Sequence, residues 1–187
     1  MCEVCDRQAI STGLDRRRFI LGGLGLAAAG LAVMPRAQAN DARRLSFYHT
    51  HTGQQLRLTY AEDGRHLPQA LDEINEFLRD FRTGKSHPID PQLLDALYHL
   101  REKAGGRGTY EIVSAYRAPE TNDMLRANSG GVAQGSLHMQ GKAMDVRLRG
   151  VPTRELREHA LSLQVGGVGY YRESDFIHVD TGRVRFW

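Results

Sequence analysis

The sequence predicts an α+β fold: a single domain in which helices pack on a short antiparallel sheet. Two observations carry this. Helix-spaced apolar residues fill the stretch from 67 to 100, and short segments rich in β-branched and aromatic residues dominate the chain after 109. The 187 residues, 41% of them hydrophobic, suffice for one sizeable core and not for a second full domain.

The elements follow in order. Residues 45–49 and 55–60 flank a Thr-His-Thr-Gly-Gln turn, which predicts a β-hairpin turning near Gly53 at an edge of the fold. Leu67, Ala70, Leu71, Ile74, Phe77, Leu78 and Phe81 keep helical spacing, so an amphipathic helix is expected over 67–81. Residues 83–88 end it. Asp90 and Pro91 then open a second helix as N-cap and first-turn proline, with Leu93, Leu94, Leu97 and Leu100 as its buried stripe. Gly84-Lys85-Ser86 is no phosphate loop, because the upstream glycine is missing and the segment follows a helix instead of a strand. A strand at 109–116, a short helix around Met124 and Leu125, and a glycine-containing flexible loop over 129–136 lead to His138. A strand at 143–148 follows, Thr153 caps a helix running to about Leu163, and 168–171, 176–180 and 183–187 are short β segments.

Residues 1–39 read differently. Arg16, Arg17 and Arg18 precede an uncharged run over 19–34, and Ala37-Gln38-Ala39 follows, which is the layout of a cleaved export signal. Cleavage after Ala39 is expected, leaving 40–187 as the mature domain. The paired arginines followed by Phe19 and Ile20 resemble the twin-arginine type, with Asp15 in place of the usual Ser or Thr. This implies a periplasmic destination and the twin-arginine export machinery as a partner. A retained membrane anchor is the alternative, but the run is shorter than the roughly 20 residues a spanning helix needs. Cys2 and Cys5, the only cysteines, lie in the signal, so disulfides contribute nothing to the mature domain, and Cys2-x-x-Cys5 lacks the second pair of a metal site. Five of the 25 basic and three of the 22 acidic residues also lie there, which leaves 20 against 19. A near-neutral domain gives no electrostatic case for nucleic-acid binding.

Strand alternation puts Asp145 and Arg147 on one face of 143–148, opposite Met144, Val146 and Leu148. The same rule puts Phe176, His178 and Asp180 together. If the two strands are neighbours, Asp145 and His178 converge, and His138 can swing back from its loop to complete two imidazoles and one carboxylate. Three such ligands with an open fourth position make a catalytic zinc shell. The competing reading leaves His138 on the surface and pairs Asp145 with Arg147. His49, His51, His66, His87, His99 and His159 lack the carboxylate spacing.

Ser136-x-His138-x-x-Gly141-x-Ala143-x-Asp145, with Asp175-x-x-His178 downstream, resembles the signature of the zinc D-Ala-D-Ala carboxypeptidases, dipeptidases and related peptidoglycan endopeptidases, and is most similar to their exported YcbK-like (MepK-like) murein endopeptidase branch. The likeness extends through Ser114-Ala115-Tyr116-Arg117, Ser129-Gly130-Gly131-Val132-Ala133, Val168-Gly169-Tyr170-Tyr171 and His178-Val179-Asp180-Thr181-Gly182. It implies a hedgehog/D-Ala-D-Ala-peptidase-like fold, one zinc ion on His138, Asp145 and His178, a general base at Asp175, and Arg117 on the scissile carbonyl oxygen. Many members carry Glu where this chain has the shorter Asp175. Alternation sets Asp180 rather than Asp175 on the face of His178, so Asp180 stands as the alternative base. Without the resemblance, Arg117 reads as a partner of Glu120. Tyr116, Tyr170 and Tyr171 read as packing residues, with Tyr170 or Tyr171 able to border a groove.

The implied activity is hydrolysis of peptidoglycan stem-peptide cross-links by a periplasmic zinc metallopeptidase. The alternatives are a carboxypeptidase or dipeptidase trimming D-Ala ends, and a non-catalytic, zinc-stabilised wall-binding module. Other divalent metals suit the same ligands. With no oligomerisation signal, a monomer is expected.

Overall fold

A computed structural model describes residues 41–128 and 133–187; the expected export segment and part of the expected loop before His138 lie outside the described residues. The expected hairpin is formed by β1 (Arg43–His49) and β2 (Gln55–Glu62), with β3 (Arg65–His66) beside β2. Helices α1 (Pro68–Phe77) and α2 (Pro91–Lys103) precede β4 (Tyr110–Ser114), and α3 (Pro119–Asn128) follows it. After β5 (Ala143–Leu148) and α4 (Thr153–Leu163) come β6 (Gly167–Tyr171), β7 (Phe176–Asp180) and β8 (Arg185–Phe186).

The α+β class holds, but the sheet is larger than the short antiparallel one expected. Eight strands run in the order β3-β2-β1-β4-β5-β7-β6-β8. β1 with β4, and β6 with β8, pair in parallel. The hairpin therefore does not stand apart at an edge: β1 is interior, joined to β4 by a crossover through α1 and α2, because parallel neighbours need a long connection. Helix α2 packs on β1 and α4, α1 on β2, and α4 across β5, β6 and β7. Leu45, Phe47, Ile74, Leu93, Leu97, Val146, Leu156 and Ile177 join in one core.

Two local departures have physical causes. The first helix stops at Phe77 although Leu78 and Phe81 keep its spacing, because buried Asp80 takes the backbone N–H groups of Arg82 (2.8 Å), Thr83 (3.3 Å) and Ala118 (2.8 Å), which a continuing helix would direct elsewhere. Thr153 is the first residue of α4 and not its cap; Pro152 holds the cap position, and the Thr153 hydroxyl donates to Asp175. Asp90 does cap α2, accepting from Gln92 N at 3.0 Å.

Burial alone would raise the Asp80 carboxyl, but Thr121 and the three backbone donors hold it below the ordinary carboxylate range. Its folded pKa thus lies below its unfolded one, so it contributes stability that is complete above about pH 4 and is lost as pH falls through the folded value. Asp80→Ala is expected to cost about 1–3 kcal/mol at neutral pH by orphaning the buried Ala118 N–H and releasing the turn at Arg82 and Thr83. Thermal melts should show the gap to wild type narrowing below about pH 4; a gap independent of pH would remove the charge from the explanation.

Candidate metal centre

Antiparallel pairing of β5 with β7 sets Asp145 directly opposite His178. His138 arrives on a single turn of 3-10 helix, Leu137–Gln140, whose N-cap Ser136 accepts from His138 N at 3.3 Å. Gly141 ends that turn with φ 65°, and a Cβ there would lie 2.1 Å from the Pro88 carbonyl oxygen. Only glycine both adopts this conformation cheaply and allows that approach. The turn is thereby seated against the segment leading into α2, where Asp90 N donates to the Gly141 carbonyl (2.9 Å).

All three side chains are buried, and each imidazole has its outer nitrogen engaged. His138 Nδ1 donates to the Ala115 carbonyl (2.8 Å), and His178 Nε2 donates to Asp180 Oδ2 (3.0 Å). Both partners only accept, so each outer nitrogen carries the proton. The inner lone pairs, on His138 Nε2 and His178 Nδ1, then face each other at 3.3 Å and face Asp145 Oδ1 at 3.4 and 2.9 Å. Three buried acceptors at such separations repel one another unless a cation lies among them. Among the described residues this is the one cluster of His, Cys, Asp or Glu side chains whose ligand atoms lie mutually within reach of a metal ion.

The electrostatics agree. Burial would raise the Asp145 carboxyl, yet His138 and His178, once a proton sits on an inner nitrogen, hold it far below the usual carboxylate range. Burial would lower the pKa of His178, yet Asp145 and Asp180 raise it. An environment that favours positive charge at this point in the form of a proton equally favours a metal ion.

The triad opens into a groove of about 700 Å³ that Arg117, Ser136, Tyr171 and Trp187 also line. Arg117 Nη2 lies 4.0 Å from Asp145 Oδ2, and among the described residues its guanidinium makes long bonds, 3.4 Å each, to Ser114 Oγ and Asn122 Oδ1. Burial lowers its pKa and Asp145 opposes this. Glu120, its partner in the reading that sets the resemblance aside, pairs with Lys85 instead.

Neither aspartate weighed as general base stands free at this groove. Asp180 is fully buried behind His178, with its oxygens also taken by Gly167 N, Gly182 N and Arg185. It is an outer hydrogen-bond partner that orients the His178 ring, a part its place two residues after His178 on the same strand face signals. Asp175 is not among the side chains whose ligand atoms lie within metal reach of one another, although its neighbours Ser174 and Phe176 line the groove. Its backbone is left-handed (φ 52°), its side chain is 69% exposed and accepts from Thr153, and it lines a separate cavity of about 450 Å³ with Glu111 and Arg147. Tyr171 borders the groove, Tyr170 the other cavity, and Tyr116 stacks on His87. Trp187 and Arg185, which sequence reasoning missed, carry no spacing signal.

Residues 37–187 match the family described as peptidoglycan L,D-endopeptidase MepK. The chain belongs to this family. Over 176 residues it is 39% identical to the peptidoglycan L,D-endopeptidase MepK of Escherichia coli K12, covering 92% of this chain and 97% of the relative, and it is equally similar to the Shigella flexneri protein of that name. A probable peptidoglycan L,D-endopeptidase MepK of Haemophilus influenzae is 38% identical over 180 residues, with 92% and 95% covered. No solved structure matches the chain significantly.

Calorimetric titration of the metal-free protein is expected to give one tightly bound divalent ion per chain. His138→Ala and His178→Ala should abolish it. Asp180→Asn, which weakens the outer hold on His178 together with the bonds from Arg185, should raise the dissociation constant about 10- to 100-fold. Unaltered affinity in Asp180→Asn would deny it that part.

Proposed function

We propose that this protein is a zinc metallopeptidase that hydrolyses peptide cross-links of peptidoglycan, acting as an L,D-endopeptidase like the relatives named above. The observation that carries the reading is the convergence of two imidazoles and a carboxylate beside Arg117 on one groove. Zinc is supported by the donor set and by its spacing: the separations of 2.9–3.4 Å fit the roughly 3.3 Å edges of a tetrahedron with bonds of about 2.0–2.1 Å. When bound, zinc supplies Lewis acidity and a water whose pKa falls to about 7.

The chain's own residues do the rest. His138 and His178, locked as tautomers, and Asp145, held ionised, hold the metal. Arg117 points spare N–H donors into the groove, where charge grows on a carbonyl oxygen as it is attacked; such a donor in a partly dry site is worth about 10²–10³ in rate. Arg117→Ala is expected to lower kcat by that factor, while Arg117→Lys recovers a minor part. Incubation with cross-linked muropeptides should convert dimers to monomers in a chelator-sensitive way, and product masses name the bond. Release of D-Ala from intact dimers would favour a trimming enzyme; metal binding with no turnover would favour a wall-binding module.

The general base that the resemblance assigns to Asp175 lacks support from its position. Asn tolerates left-handed backbone and accepts the Thr153 hydrogen bond, but cannot take a proton. Asp175→Asn is therefore expected to keep kcat within about threefold, whereas loss of a general base costs about 10²–10⁴. A loss in that range with an unchanged melting temperature would restore Asp175 to the chemistry.

Export by the twin-arginine route with cleavage after Ala39 completes the proposal, supported by the order of basic, apolar and Ala-x-Ala segments. Replacing Arg16 and Arg17 by Lys should retain the protein in the cytoplasm at its full-length mass, and the exported wild type should begin at Asn40.

A further inference from the structure

Trp187 is 48% exposed, yet it is held from several sides. Its backbone N–H donates to the Val168 carbonyl (3.3 Å), its carbonyl accepts from Tyr170 N (3.1 Å), and its Nε1 donates to Tyr171 Oη (3.2 Å). The Arg185 guanidinium lies 5.0 Å from the ring centroid. Beneath the ring is Gly169, where a Cβ would meet the indole at 2.6 Å, so the absence of a side chain there is what seats the tryptophan. Gly169 is the register partner of His178, and the seated indole comes against that imidazole: the ring centroids are 5.2 Å apart at an interplanar angle of 47°. The same Arg185 that flanks the indole also holds Asp180, the outer partner of His178.

We infer that Trp187 is a positioning residue for the metal ligand His178 and, with Tyr171, a wall of the groove. The His178 ring is pinned at one nitrogen by Asp180, and a single hydrogen bond leaves rotation about its axis free. The indole removes that freedom by contact, so that Nδ1 is presented to Asp145 and His138, and it keeps bulk water from the exposed flank of the ligand. A tryptophan that only closed the sheet edge would change the melting temperature and leave the metal untouched. This inference rests on the triad being a metal site, and the experiment separates the two.

Zinc is titrated calorimetrically into metal-free wild type, Trp187→Ala, Trp187→Phe and Gly169→Ala, with the melting temperature of each recorded. An outer-shell orienting group is worth about 10- to 100-fold in metal affinity. Trp187→Ala is expected to bind zinc at least about tenfold more weakly, Trp187→Phe to recover most of the loss because an aromatic ring remains, and Gly169→Ala to reproduce the loss by unseating an intact indole. Trp187 is the only tryptophan in the chain, so its emission reads the site directly. Zinc should change that emission with the calorimetric midpoint, and this readout stands even if Trp187→Ala fails to fold. Wild-type affinity in both Trp187→Ala and Gly169→Ala, or emission indifferent to calorimetrically bound zinc, would overturn the inference. A wild type that binds no zinc would instead overturn the metal reading beneath it.

Discussion

Three electron-rich atoms, His138 Nε2, His178 Nδ1 and Asp145 Oδ1, face one another at hydrogen-bond distance in a buried place with no proton assigned between them. Left to itself such a cluster is repulsive, and the fold must hold it together unless a cation lies among the three atoms. Much of the surrounding structure supplies that restraint. The β5–β7 register fixes two of the atoms, and the turn closed by Gly141 fixes the third. The Ala115 carbonyl and Asp180 then decide which nitrogen of each ring faces inward.

Asp180 shows how the restraint is built. A fully buried carboxylate is costly unless its lone pairs are satisfied, and here two backbone N–H groups, a guanidinium and an imidazole satisfy them. Burial would raise its carboxyl, but these partners hold it far below the ordinary range, so it stays ionised. A permanent negative charge behind His178 keeps Nε2 protonated and makes the opposite nitrogen a better donor to a metal. The glycines of β6 belong to the same device, since a Cβ on Gly167 would stand 2.5 Å from Asp180 Oδ2.

Local rules made much of this legible in the sequence. Period-two alternation set Asp145 and His178 on like faces, and the Asp90-Pro91 pair marked the start of α2. Parallel pairing of β1 with β4 was invisible because it joins segments some sixty residues apart through two helices, and no local pattern records such a partner. Asp175 was hard to place for a related reason. Alternation set Asp180, and not Asp175, on the face of His178, and Asp175 came only from the resemblance; it sits in a left-handed turn held by contacts with Thr153 and Arg147, which come from elsewhere in the chain. Trp187 was missed because a bulky residue after a two-residue strand has no periodicity to betray it.

The charge balance of the groove follows from the same arrangement. Two guanidiniums, Arg117 and Arg185, stand against two carboxylates, Asp145 and Asp180, so with neutral imidazoles the site is close to electroneutral before a metal binds. A divalent ion added to that balance makes the groove locally cationic in a domain whose 20 basic and 19 acidic residues otherwise nearly cancel. Field lines from a partly buried charge are concentrated at the opening of its cleft. With such an ion in place, the focused field would favour an anionic group at the mouth of the groove, beside Arg117. The restraint that keeps three lone pairs together thus also sets the polarity by which the groove selects what enters it.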